Sequence, residues 1–576
     1  MKNILLVTIS HSIMAGQWVP VAAGSLISYC IKDQYIKENF NFLAPEYRSN
    51  CLELTEFHDT LKKIDIIGLT CYVWNQDIND SISKKFKEYN PNGLVLYGGP
   101  NVPQSFNDAM EYADKKPFVD KFFIGPGEKN FLNFLKGVSL EGTFDRSSFN
   151  VSQDRANYQI TREETPTPFQ DGIFNHILEK EKSIGVGLET TRGCPYSCAF
   201  CDWGGQANSK VIKFDEEILK KEISYFLRYK DIHIIDIIDA NYGIFERDVD
   251  LVQHIVDNKN NLKTISFSGF AKNGSPRAAR ILDLVHENFN LYANEFKLSF
   301  QSTDPNTLTT INRENIKTEK LLNIINHTKN KDFSGELIIG LPGETADSWL
   351  NTISDMLNFK INLLRIYRLF VLVNTPMNST EYIKQNNIRF QYIRVPRSII
   401  INGDPSVSVK DIKAYNDYII EDSYEEYKVV RNCNSFNDNE FIEIHKITSW
   451  YNILISGGFL RDTIISHKLS LKEQYKMFID NLDNMPFFKS LHDHYVESIR
   501  RTICNEHSDT TTITSFDDYS CFMTTSRDGE NLKIYKNLST AISEIKQIYP
   551  DATFDHIDMN IKNLNKLSTF LGKLTK

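Results

Sequence analysis

The residues best placed for chemistry are Cys194-Pro-Tyr-Ser-Cys198-Ala-Phe-Cys201. Three thiolates on so short a loop can wrap one face of an iron-sulfur cube and leave one iron open. An open iron can bind a substrate or cofactor, whereas a cluster that only transfers electrons normally takes four cysteines. Zinc is the alternative, but a structural zinc ion takes four ligands, typically two Cys-x2-Cys pairs, and no second pair lies nearby. The chain has nine cysteines. The other six, Cys30, Cys51, Cys71, Cys433, Cys504 and Cys521, stand singly and read as buried or free thiols in a reducing cytosol. An odd count at this density argues against a secreted disulfide framework.

The loop must be held by the elements around it. It follows Ser183-Ile-Gly-Val-Gly-Leu-Glu189, an apolar run that reads as a strand. Further strand candidates are 233–238, 264–268, 296–300, 335–339 and 364–371, with helical patterns between them. Six strands alternating with helices over ~190 residues suit a partial (β/α)6 barrel, whose active site lies at the strand carboxyl ends. Upstream, 3–9, 65–73, 94–97 and 118–124 read as strands, and 19–31, 78–89 and 128–135 as helices. That alternation predicts a Rossmann-like parallel sheet, which binds ligands at its strand carboxyl ends. Glycine-containing turns end two of these strands, Gly98-Gly99-Pro100 and Gly125-Pro126-Gly127. The expected organisation is an α/β chain in four parts. Residues 1–140 form the first domain, 141–182 a polar, proline-containing linker, 183–386 the barrel, and 387–576 a mainly helical domain carrying runs such as 440–454 and 473–478.

Composition narrows the class. With 576 residues, 41% apolar and 24% charged, the chain is ordinary globular protein of several domains. Its net charge is −9 and its basic residues are dispersed, so neither nucleic acid nor an anionic membrane is an expected partner. No window offers the ~18 consecutive apolar residues of a membrane span, and the opening Met1 to Ile9 reads as a first strand, not a signal peptide. A cytoplasmic location is expected.

The cysteine loop, at the end of the first strand of a β/α series, resembles the signature of the radical S-adenosylmethionine (SAM) superfamily. The resemblance implies a [4Fe-4S] cluster on Cys194, Cys198 and Cys201, with SAM chelated at the open iron and cleaved to a 5′-deoxyadenosyl radical. It continues strand by strand: Asp239-Ala-Asn241, Ala271-Lys272-Asn273, Ser299-Phe-Gln301-Ser302 with Ile311-Asn-Arg313, and Glu336-Leu-Ile-Ile-Gly340. SAM contacts are therefore expected from Phe200, Trp203, Asp239, Asn241, Lys272, Gln301, Ser302, Arg313, Glu336 and Gly340.

The N-terminal domain resembles the cobalamin-binding domain that precedes the barrel in one radical SAM subfamily. The resemblance rests on Gly68-Leu-Thr70-Cys-Tyr72-Val-Trp74, Tyr97-Gly98-Gly99-Pro100 and Gly125-Pro-Gly127-Glu128. It implies cobalamin contacts from Ser10, His11, Thr70, Tyr72, Trp74, Gly98, Gly99, Pro100, Gly125, Gly127 and Glu128. The Asp-x-His-x-x-Gly pattern of histidine-ligated cobalamin is absent: Ile9 stands where the aspartate would, and His11 is followed only at Gly16. The expectation is cobalamin without a histidine ligand, with Trp74 near its lower face. Together these likenesses imply a cobalamin-dependent radical SAM enzyme that methylates an unactivated carbon of a small molecule or peptide, with an electron donor such as flavodoxin or ferredoxin. A radical oxidation, cyclisation or ring rearrangement without methyl transfer is the alternative. A methylthiotransferase and a non-enzymatic cobalamin carrier are more distant ones.

Overall fold

The computed structural model describes residues 1–9, 17–48, 54–152, 158–203, 211–270, 276–289, 296–327, 333–359, 361, 363–399, 424–456, 460–505, 508–523, 534 and 537–552. The fold is α/β. In chain order its first strands are β1 (Lys2–Ile9), β2 (Gln17–Trp18), β3 (Phe40–Phe42), β4 (Glu46–Arg48), β5 (Ile66–Thr70), β6 (Leu94–Gly98), β7 (Lys121–Phe123), β8 (Thr143–Phe144) and β9 (Phe149–Asn150). All but β2 form one sheet in the order β3-β1-β5-β6-β7-β8-β9, with β4 also on β1. It is parallel as far as β7. Ile4 to Val7 of β1 are buried on both faces, as a parallel strand covered by two helical layers requires. Helix 21–30 packs against helix 128–136, and the latter stops at Gly137, whose φ of +67° supplies the left-handed cap.

The segment expected to be a linker begins as structure. β8 and β9 pair antiparallel and extend the sheet beyond β7. Two-residue strands carry no alternation to read, so only the pairing reveals them.

The second series contains β10 (Ile184–Leu188), β11 (Thr191–Arg192), β12 (Ile212–Lys213), β13 (Ile232–Ile237), β14 (Thr264–Phe267), β15 (Phe296–Gln301), β16 (Phe333–Ile339) and β17 (Leu363–Arg368). β10, β13 and β14 form one parallel unit, and β15, β16 and β17 another. Helices between them are capped by their own sequence. Asp215 accepts from the Glu217 and Ile218 amides, and Thr345 and Ser348 make a reciprocal box at the start of helix 346–358.

Past residue 387 the chain is mainly helical but not wholly so. β18 (Arg389–Pro396) lies between β19 (Tyr424–Asn432) and β20 (Thr510–Thr512) in a small mixed sheet. Helix 438–451 packs on helix 486–502, with Trp450, Tyr451, Met485 and Phe488 buried between layers. The second α/β series is joined here by Trp349, whose indole N–H donates to Thr448 Oγ1 at 2.9 Å. Among the described residues no helix is long and apolar enough to cross a membrane.

The two α/β units are locked by a strand exchange. β2, from the N-terminal part of the chain, pairs parallel with β10 as an edge of the second unit's sheet. Trp18 seats on Gly185, where an added Cβ would meet the indole at 2.6 Å. Gly185→Val should therefore cost about 1–3 kcal/mol by overpacking, seen as a lower apparent melting temperature. An unchanged melting temperature would show that Trp18 does not fill this seat.

Candidate functional site

The cysteine loop leaves β10 and is closed at its base by the antiparallel pair β11 and β12. Cys194 and Cys198 are buried, and Cys201 is half-buried. Three contacts fix the loop against the segments after β15 and β17. The Ala199 amide donates to the Ile311 carbonyl at 2.8 Å, Asn312 Nδ2 donates to Ser197 O and Oγ, and the Met377 amide donates to Ala199 O at 2.9 Å. Arg313, buried, donates through Nε to Phe300 O at 3.2 Å and brings Nη1 to 3.7 Å from the Cys198 sulfur. Among the described residues no three His, Cys, Asp or Glu side chains converge on one point as a single ion requires. A cube differs, since each thiolate takes a different iron.

Two of the nominated SAM residues are braces. Asp239 is buried, and its carboxylate accepts from the Thr190 amide at 2.6 Å and from the Thr190 and Thr191 hydroxyls. Burial pushes it up to about 6, against those hydrogen bonds. It thus ties the end of β13 to the strand that launches the cysteine loop. Ser302 is also buried and donates to Glu344 Oε2 at 2.9 Å. Glu336 accepts from Ser299 across β15 and β16.

Gln301 is different. It sits at a register shift in β15, takes a φ of +69°, and its buried Oε1 has no hydrogen-bond partner among the described residues. A non-glycine residue in that conformation costs free energy and clusters at functional sites. Asn241 is buried at the end of β13, Phe200 is half-buried, and Gly340 turns with φ +90° under Phe441. Ser10, His11 and Lys272 lie outside the described residues.

A cavity of about 700 Å³ joins the strand ends of both units. Thr70, Tyr72, Trp74, Gly98, Gly99, Gly125, Gly127 and Glu128 line its N-terminal wall, as nominated. Pro100 does not line it; its carbonyl accepts from Asn374 Nδ2 at 2.8 Å, tying the turn after β6 to the loop after β17. Tyr72 and Trp74 stack at 4.5 Å and 6°. Gly99, at φ +115°, lies so close to Cys71 that a Cβ would meet backbone at 2.8 Å. Gly98 is open by contrast, since its Cβ would meet only Phe123 at 3.7 Å. The barrel wall is Glu189, Arg192, Trp203, Asp236, Ile238 and Ser268. Trp203, two residues past Cys201, was expected against SAM and lines this shared space.

Sequence reasoning missed Arg192. It donates to Glu189 at 2.7 Å and across the domains to both oxygens of Glu128, at 2.8 and 3.0 Å. Burial would lower its pKa, but Glu128 and Glu189 outweigh that and raise it, so the guanidinium stays charged. Its position between a strand end and the first cysteine was the available signal. Asp236, on β13, accepts from Ser266 at 2.8 Å and Ser268 at 3.1 Å and was missed as well.

The comparisons bear on this geometry directly. Residues 188–356 match the radical SAM superfamily. Those residues form a radical SAM domain. It is 30% identical over 469 residues to the cobalamin-dependent radical SAM methyltransferase TokK of Streptomyces tokunonensis, covering 77% of this chain and 64% of the relative. It is 28% identical, with the same coverage of both chains, to 2-(S-pantetheinyl)-carbapenam-3-carboxylate methyltransferase of Streptantibioticus cattleyicolor. The chain thus spans a little under two thirds of the length of these relatives. Its fold is like that of TsrM, a radical SAM methyltransferase of Kitasatospora setae solved with cobalamin and a [4Fe-4S] cluster. The TM-score is 0.52 at 13% identity, over 93% of this chain and 99% of that one.

The buried Ser302–Glu344 pair yields a pH signature. Burial raises Glu344 from 4.5 to about 7, so the folded protein binds this proton more tightly than the unfolded chain does. Its contribution to stability is complete below about pH 4.5 and is lost as pH rises through about 7. Glu344→Gln should remove about 1–3 kcal/mol of the stability decline between pH 5 and 8, measured by urea unfolding. An unchanged decline would assign the titration elsewhere.

Proposed function

We propose that this chain is a cobalamin-dependent radical SAM methyltransferase acting on an unactivated carbon of a small molecule. The observation that carries the reading is the single cavity on which the strand carboxyl ends of both α/β units open. Methyl transfer between two cofactors needs both to face one substrate, and opposed strand ends supply that arrangement.

The residues suit the three groups. Cys194, Cys198 and Cys201 would hold the [4Fe-4S] cluster on a loop braced from β15, with Arg313 bringing positive charge to its edge. Gln301, with its unpartnered oxygen, would take SAM together with Phe200, Asn241, Glu336 and Gly340. The glycine-lined wall at Gly98, Gly99, Gly125 and Gly127 would accept cobalamin, with Tyr72 and Trp74 against the ring. Asp239 and Ser302 serve this site from beneath. Bound together, the three groups supply a deoxyadenosyl radical that takes hydrogen from carbon and a methyl group for the carbon radical so formed.

The protein's own share is positioning and exclusion of water. The stacked Tyr72 and Trp74 wall closes one side of the cavity, and Trp203 lines the side nearest the cysteine loop. Arg192 is shared between Glu128 and Glu189, and Asp236 on the facing wall accepts from the hydroxyls of Ser266 and Ser268. The domains follow as a cobalamin domain, a partial barrel and a C-terminal cap. An electron from a flavodoxin-like or ferredoxin-like donor in the cytoplasm completes the scheme.

Anaerobically reconstituted protein, given reductant, SAM, hydroxocobalamin and substrate, should form 5′-deoxyadenosine and S-adenosylhomocysteine in one sample. Deoxyadenosine without S-adenosylhomocysteine, alongside a product of unchanged methyl count, would replace methyl transfer with rearrangement or oxidation. Replacing Cys194, Cys198 and Cys201 together by Ala should remove nearly all cluster iron and spare hydroxocobalamin binding. Gly98→Leu should do the reverse, since its side chain would enter the cavity; iron lost and cobalamin kept in this variant would separate the cavity from the cofactor.

A further inference from the structure

Arg397 is a fully buried cation in the C-terminal domain, just past β18, far in sequence from every residue of the cavity. It reaches into the N-terminal domain. Its Nε and Nη2 hold both carboxylate oxygens of Asp77, and Nη2 also donates to the Trp74 carbonyl at 2.6 Å. On its other side Nη1 lies 3.2 Å from Glu425 of β19, which is equally buried and accepts from the Tyr427 hydroxyl. One planar fork therefore bridges a carboxylate of each domain and a backbone carbonyl of the cavity wall. Lysine, with a single ammonium, cannot reproduce that geometry.

What the fork holds is the turn that carries the stacked pair. From within, Asn75 fixes this turn by accepting from the Tyr72 amide at 2.8 Å and donating to Thr70 O at 2.9 Å and Ile9 O at 3.2 Å. From outside, Arg397 fixes its far end. Tyr72 and Trp74 both line the cavity, and their rings are parallel at 4.5 Å. A buried ion pair is poor evidence for stability, because desolvation offsets its Coulomb gain, but it is well suited to specifying one geometry.

We propose that Arg397 is a positioning residue for the cavity, through which the C-terminal domain sets the Tyr72 and Trp74 wall against the corrin ring. The proposal rests on the cobalamin reading above. The C-terminal domain is then part of the cofactor site as well as a cover over the barrel mouth. Asp77, at the start of helix 76–89, transmits the same constraint to the helix that follows the turn.

Arg397→Lys in the full chain keeps the charge and loses the fork. Its dissociation constant for hydroxocobalamin should rise about tenfold, as for other residues that orient a direct contact, with cluster iron unchanged. In a Trp74→Ala background the same change should cost under about threefold, because the two act as a unit. Equal factors in both backgrounds, or no change in either, would overturn the proposal. If Arg397→Lys does not fold, Asp77→Asn is expected to give the same non-additive pattern, and additivity there counts equally against it. Failure of the wild-type chain to bind hydroxocobalamin would overturn the cobalamin reading instead. The placement is then tested in cofactor-free protein by the acrylamide quenching of Trp74 emission, isolated by subtracting the Trp74→Phe variant. Quenching should at least roughly double in Arg397→Lys as the wall loosens, and unchanged quenching would overturn the positioning role.

Discussion

Arg192 is the point at which the two halves of the site are tied. It stands one residue before the glycine that opens the cysteine loop, and its guanidinium grips Glu189 at the end of its own strand and Glu128 across the domain boundary. Glu128 in turn begins helix 128–136, directly after the glycine turn that lines the cavity. Removing Arg192 would leave the buried Glu128 carboxylate uncompensated, a penalty of about 3–5 kcal/mol. The distance between the cysteine loop and the glycine wall is thus set by a contact too costly to break. The pairing of β2 with β10 and the bonds of Asn374 to Pro100 and Val102 hold the same two sets of strand ends together.

Much of the remaining polar interior serves that alignment indirectly. Asp239 braces Thr190 and Thr191, and Arg247 donates to the Thr190 carbonyl at 2.7 Å. Asn312 and Ile311 hold the far side of the cysteine loop. Asn374 bonds the Gln104 amide and the carbonyls of Pro100 and Val102, so the last barrel loop also clasps the N-terminal domain. These contacts are hydrogen bonds between loops at strand ends, where backbone groups have no ladder partner and must be satisfied by side chains. The site is rigid because its loops complete one another's hydrogen bonding.

The strands and the cysteine loop were legible in the sequence because apolar periodicity and ligand spacing are local signals. The nominated strands lie within a few residues of the observed ones, and the glycine turns line the cavity. Roles at strand ends were harder to read. Asp239 and Gln301 are both polar residues at the end of a barrel strand, yet the first is saturated by threonines and the second has an oxygen without a partner among the described residues. Nothing in a single sequence separates them, since the difference lies in which way the side chain points and in what stands opposite. The cross-domain roles of Arg192 and Arg397 were hidden for the same reason, because the partners there are 64 and 320 residues away. The strands β8 and β9, two residues each, depend on pairing, which periodicity does not encode at that length, whereas β18 and β19 are long enough to alternate and were overlooked among the helical runs around them.

The C-terminal domain illustrates how a cover can acquire a second task. Its aromatic runs, Ser449 to Tyr451 and Met485 to Phe488, are core. What it offers the site is instead charge in fixed places. Arg397 reaches the cavity wall, while Glu440 accepts from the Ala346 amide at the start of the helix after β16 and Ser435 accepts from the Gly343 amide in the same turn. That turn follows Gly340, on which Phe441 packs at 3.4 Å. One domain therefore reaches the cavity wall at Trp74 through a buried arginine and, away from the cavity, the turn after β16 through Ser435 and Glu440.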